Sequence, residues 1–151
     1  TLRARGASYL RKPQYGECPV QIAILYASTL IIFLVIDIVG ITQIIRPIFE
    51  RHVGDLLADP FRMMPAAAFY AAYIVGVLYF VSAPALAEGR PGKALIGGAL
   101  IGLMCYGTYE FTNYATLRDW SMQQVVTDTI WGGFLTGFSA WAGVMATRWL
   151  T

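Results

Sequence analysis

Four apolar runs, each long enough to cross a bilayer, constrain this chain more than any other feature. They extend from Pro19 to about Ile45, from Pro65 to Ala87, from Ala94 to about Asn113 and from Met122 to about Thr147. A membrane helix needs about 20 predominantly apolar residues. Inside lipid a helix satisfies its own backbone hydrogen bonds, so all four runs are expected to be α-helical. The links EGRPGK, from Glu88 to Lys93, and Ala115 to Ser121 are short. Short links force antiparallel neighbours, which predicts an all-α, integral membrane four-helix up-down bundle. Residues 17–151 form this single transmembrane domain, and residues 1–16 form a basic N-terminal arm.

Composition agrees. The chain is 57% hydrophobic and only 13% charged, against about 25% charged in soluble domains. A net charge of +2 gives no case for nucleic acid binding. Cys18 and Cys105 match no metal spacing and read as two unpaired thiols. The only histidine, His52, falls in a connection, so no imidazole-bearing metal motif is present.

The longer connection, from Arg46 to Met64, begins RPIFERHVGDLLADP. Pro47 should end or kink the first helix. Ile48, Phe49, Val53, Leu56 and Leu57 recur at helical spacing between charged residues, which predicts a short amphipathic helix in the interface. Lys and Arg number seven on the N-terminal side and four opposite, placing both termini on the cytoplasmic or matrix-like side. Trp120, Trp149, Tyr15 and Tyr114 fall where an aromatic belt would lie.

Three acids sit inside the apolar runs: Asp37 in STLIIFLVIDIVGI, Glu110 in YGTYEFTNYATLRDW and Asp128 in VVTDTIWGGF. Helices one and three start on the N-terminal side and carry their acids late. Helix four starts on the far side and carries its acid early. All three therefore fall at similar depth. An intramembrane carboxylate is expensive unless paired, protonated or facing water. Arg46 and Arg118 lie on the same side and could neutralise part of the charge. Tyr106, Glu110 and Asn113 share one helical face, and Asp128 and Trp131 share another. Three roles are open: a structural polar cluster bonded through Tyr106, Asn113 and Thr129, a site for a polar or cationic ligand or for protons, and a carboxylate metal or catalytic site. No catalytic residue and no metal ligand is assigned, and no cofactor is expected beyond bound lipid.

Ala94, Gly98 and Gly102 repeat four apart, as do Gly133 and Gly137. Such small-residue faces allow close helix packing within the bundle or docking of a partner helix.

The quoted residues resemble a family of small bacterial and organellar predicted membrane proteins, domain of unknown function 2177, over about Tyr26 to Arg148. The stretch from Tyr106 to Trp120 is similar to the family's Tyr-Gly-Thr-Tyr-Asp-Leu-Thr-Asn, Ala-Thr-Leu and Trp. Asp128, Trp131 and Gly132 resemble its Asp-x-x-Trp-Gly. Asp37, with Arg46 and Pro47 following, resembles its first-helix acid. Glu110 stands where the family usually has Asp, and Gly40 where it usually has Trp. The resemblance implies a fold and a site geometry and carries no reaction.

The sequence begins at Thr1, and its arm holds Arg3, Arg5, Arg11 and Lys12 without an acid. Such arms resemble organellar transit segments; a trimmed chain or a topology anchor are the alternatives. The favoured expectation is a non-catalytic accessory subunit of a larger, organellar and bioenergetic membrane complex, held among membrane lipids and other subunits. A mitochondrial inner membrane is favoured over a bacterial inner membrane or thylakoid. The alternative is a free-standing membrane protein that binds, modifies or transports a lipid-like or polar small molecule at the acids.

Overall fold

The computed structural model describes residues 18–151. The basic arm over residues 1–16, with Tyr15, lies outside them.

The described residues form an all-α membrane bundle of four long helical rods joined by short links. The first rod is α1 (Pro19–Gly40), a π-helical turn (Ile41–Ile45) and α2 (Arg46–Val53), closed by a 3₁₀ turn at Gly54–Leu56. The second is α3 (Met63–Val77), a π turn (Leu78–Ser82) and α4 (Ala83–Ala87). The third is α5 (Pro91–Thr116) and the fourth α6 (Met122–Leu150). By length and composition, three rods can cross a membrane: Pro19–Leu56, Met63–Ala87 and Pro91–Thr116. The 29 residues of α6 extend about 43 Å at ~1.5 Å per residue, ample to run beside them. Its hydropathy is lower because Gly, Ser and Thr occupy its inward faces.

Both π turns have the same cause. Pro47 and Pro84 each stand two residues beyond one. Proline lacks an N–H, and its ring collides with the carbonyl four residues back. A π turn absorbs one extra residue at that point. The helix therefore continues through Pro47, where the sequence suggested an end or a kink.

Three of the apolar residues expected on a separate interfacial helix, Ile48, Phe49 and Val53, fall instead in α2, which continues the first rod and ends at Val53. Its apolar residues Phe49 and Val53 pack against Trp120 and Val125, at the end of the bundle nearest the α5–α6 link. Leu56 and Leu57 remain exposed. The α5–α6 link is closed by a capping box, in which Gln124 N–H donates to Ser121 Oγ and Ser121 N–H to Gln124 Oε1. The α4–α5 turn uses Gly89 at φ +66°, where an L side chain would be strained.

Helices α5 and α6 meet through their glycines. A Cβ on Gly102 would fall 2.1 Å from the Gly132 carbonyl oxygen. One on Gly137 would fall 2.8 Å from that of Leu95. The small-residue faces are thus consumed inside the bundle. On the other side of α6, a Cβ on Gly143 would fall 2.0 Å from Thr29 Oγ1 of α1. Leu25, Phe33, Ile74, Leu86 and Leu135 fill the core. Gln21 Nε2 at the start of α1 donates to Thr151 Oγ1 at 3.3 Å, so Gln21 and the C-terminus share one face of the bundle. Cys18 and Cys105 are free and exposed.

Candidate functional site

The register of α1 and α5 against the antiparallel α6 brings the acids together. Asp37 comes from the last turn of α1, Glu110 from the penultimate turn of α5 and Asp128 from the second turn of α6. All are buried, with relative exposures of 3%, 0% and 8%. Glu110 and Asp128 have their carboxyl groups within mutual reach. Asp37 stands beside Tyr70 of α3 and Trp131 of α6. Tyr106 of α5 sits among Asp37, Tyr70, Tyr73 and Asp128. Four helices therefore contribute to one polar cluster.

Trp120 closes it. The tight link returns the chain so that Trp120 Nε1 donates to Glu110 Oε2 at 2.7 Å. The indole is 8% exposed. It is wedged edge-on between Phe49 of α2, with ring centroids 5.3 Å apart, and Tyr109, at 5.7 Å. From sequence alone Trp120 reads as part of an aromatic belt; the structure places it in the cluster. The available signal was its position in the same stretch as Glu110, just past a link too short to carry it away.

Two candidates fall elsewhere. Arg46 is exposed and pairs with Glu50, Nε to Oε1 at 2.6 Å. The i,i+4 spacing within α2 fixes that choice, and it directs the guanidinium away from the acids. Arg118 is exposed in the link. Asn113 stands beside Tyr109 rather than Glu110. Thr129 points at Gly107 with its hydroxyl buried and unpaired. His52 approaches Gln123 Oε1 at 3.4 Å, outside the cluster. Among the described residues, no Lys, Arg or His neutralises the three acids.

Gly40 acquires a role here. A Cβ on it would lie 1.9 Å from Cζ2 of Trp131. The Trp131 indole therefore fills the space that a side chain at position 40 would take. Its buried N–H lies beside the Asp37 carboxyl. Glu110 Oε1 is likewise buried, and the nearby Asp128 carboxyl can donate to Glu110 only when it carries a proton.

The arrangement restricts the chemistry. Two carboxyl groups within reach of each other in a low-dielectric interior repel unless a proton or another positive charge lies between them. One indole N–H on Glu110 does not supply that charge. The geometry thus requires a shared proton or another positive charge wherever both groups would otherwise be ionised.

A family model described as predicted membrane protein (DUF2177) matches residues 22–145. The chain belongs to this family. No curated protein and no solved structure matches it. The match runs from α1 to near the end of α6, so it includes every residue of the cluster. This DUF2177 protein is thus a membrane protein whose family match and buried acids coincide.

Proposed function

We propose that this DUF2177 protein is a free-standing membrane protein that binds a positively charged polar species at the Asp37, Glu110 and Asp128 cluster. One observation carries the reading: three buried carboxyl groups from three helices meet without a basic side chain among the described residues. An isolated acid at the bilayer centre costs about 2.5–3.5 kcal/mol on insertion scales. A fold that gathers three of them, where Asn and Gln would serve as structural glue, has a use for their charge. Buried intramembrane acids of this kind mark ligand, ion or proton sites.

A hydrophobic carbodiimide tests it. Such reagents modify a carboxyl group that carries an exchangeable proton in an apolar setting. Dicyclohexylcarbodiimide should label Glu110 or Asp128, mapped by mass spectrometry. Sodium, magnesium, choline or spermidine should slow labelling if one of them is the species held. Absence of label at all three acids sinks the reading.

The accessory-subunit reading draws on the basic arm, outside the described residues, and on glycine faces that the bundle uses internally. Blue-native electrophoresis with mass spectrometry of the band tests it directly. Migration inside a large assembly would restore that reading, and migration as a small species supports the free-standing one.

A further inference from the structure

The polar residues of this bundle do not stop at the acids. Along α6, Gln124, Asp128, Thr136, Ser139 and Thr147 are all buried, four of them with no exposure. From Gln124 to Thr147 is about 34 Å of helix at ~1.5 Å per residue. The hydrocarbon core is about 30 Å thick. Polar groups from neighbouring helices meet this line. Tyr73 Oη of α3 hydrogen-bonds Thr136 Oγ1 at 3.0 Å. Tyr73 and Tyr106 interact in turn, linking this level to the acids. Thr29 of α1 lies against Gly143, one turn beyond Ser139. Ser82 lies in the π turn of the second rod, which packs against both α1 and α6.

The bonding of these hydroxyls is unusual. In lipid a Ser or Thr normally bonds back to a carbonyl of its own helix. Ser28, Thr42, Thr108, Thr112 and Thr116 all do so here at 2.6–2.8 Å. Thr29, Ser82 and Ser139 do not. Each has zero exposure, and each hydroxyl oxygen lacks a partner. A buried hydroxyl left unpaired costs about 1–3 kcal/mol. Thr29 and Ser139 lie about one turn apart on this seam, and Ser82 belongs to an element packed against it; bridging water is the more economical account of the three. Towards the far face the seam ends at Gln124, whose Nε2 is also buried and unpaired. Towards the other face it ends at Thr147 and the Gln21–Thr151 contact.

We infer that the buried polar line of α6, with Thr29, Tyr73 and Ser82 from its neighbours, is a hydrated path along which protons cross the bundle from Gln124 near the far face, through the acid cluster, to the face holding the C-terminus. The inference rests on the preceding reading of the acids and names their charge as the proton. Each water or hydroxyl accepts a proton on one side and releases another on the other. Nothing is oxidised or reduced, and the net event is one H⁺ delivered from one face to the other.

The experiment uses the full chain in proteoliposomes that enclose pyranine, with a potassium gradient and valinomycin setting the potential. Wild-type vesicles should acidify or alkalinise several-fold faster than protein-free vesicles. Ser139→Ala removes only an oxygen from the seam, far from the acids. It should slow the flux several-fold and leave carbodiimide labelling of Glu110 or Asp128 unchanged. Glu110→Gln should lose the flux. A second probe covers the case in which Ser139→Ala fails to fold. With Cys18 and Cys105 replaced by Ala, Ser139→Cys should react with a small water-borne thiosulfonate, and Leu135→Cys should resist it. Wild-type flux no faster than that of empty vesicles overturns the path. If labelling persists in that case, the acid-site reading stands alone; if labelling is also absent, both fall.

Discussion

Helices α3 and α6 solve the same problem in opposite ways. Helix α3 turns Met64, Phe69 and, through its π turn, Tyr79 and Phe80 outward, all more than 60% exposed. Its fully buried residues, Ile74 and Val77, are apolar, and only the half-buried Tyr70 and Tyr73 reach the polar groups of the interior. Helix α6 turns Ile130 and Phe134 outward but buries Gln, Asp, Thr and Ser. A hydropathy window favours α3 and passes over α6, although α6 is the helix around which α1 and α5 are built. In lipid the surface must be apolar, while the interior is free to be polar wherever helices satisfy one another. The helix that looks least like a span therefore organises both the packing and the site.

The sharpest way to break this comparison is to add bulk to each side. Gly102→Leu would drive side-chain atoms into the Gly132 backbone, which already lies 2.1 Å from a bare Cβ position. A backbone cannot yield as a side chain does, so the loss should be at least ~3 kcal/mol, or the protein should not fold. Phe80→Leu on the outward face should change stability by less than ~0.5 kcal/mol. Thermal unfolding in detergent measures both. Equal effects would show that the α5–α6 contact is not the organising one.

The second test lies within the cluster. Glu110→Leu leaves the Trp120 N–H without an acceptor and should cost about 1–3 kcal/mol. Glu110→Gln keeps an acceptor near the indole and should cost less than about 1 kcal/mol while losing the exchangeable charge. A stable Glu110→Gln protein that still labels at Asp128 as wild type does would separate the two acids and weaken the shared site. Trp120→Phe keeps the contacts with Phe49 and Tyr109 but removes the donor. It should cost about 1 kcal/mol, read in the same unfolding assay.

These residues also show what the sequence makes legible. The depth of Asp37, Glu110 and Asp128 follows from helix direction and position alone, because a helix crossing lipid converts residue number into depth. The rods followed from run length. Pairing does not follow so easily. Arg46 lies at the right end of the bundle, yet a carboxylate four residues away on the same helix claims it. Trp120 is a residue that belts employ, and only the return of the link over α5 turns it onto Glu110. The π turns are local adjustments to Pro47 and Pro84, and the residues within them, ITQII and LYFVS, carry no common signature. The unpaired hydroxyls of Thr29, Ser82 and Ser139 depend on what faces them across the bundle, which no single helix encodes.

The smallest effect is expected outside lipid, in the turn between α4 and α5. There the Lys93 ammonium donates to the Glu88 carboxylate. Unlike the acids of the bundle, both partners are about half exposed. The hydrogen bond from Lys93 holds the Glu88 carboxyl below its ordinary range, with the charges of Lys93 and Arg90 adding to the effect. A carboxyl lowered in the folded state stabilises the fold above its unfolded pKa, and that stabilisation is lost as pH falls through the folded value. Water and salt screen an exposed pair, so its contribution should be small. The midpoint of Glu88→Gln should lie slightly below wild type at pH 7 and low salt. The gap should narrow as pH drops below the ordinary carboxylate range, and it should narrow also in 1 M salt. Lys93→Met should remove the difference between the two. A gap that widens on acidification would mean that Glu88 is stabilised by something other than Lys93, and that the turn, rather than the buried face of α6, sets part of the register between the second and third rods.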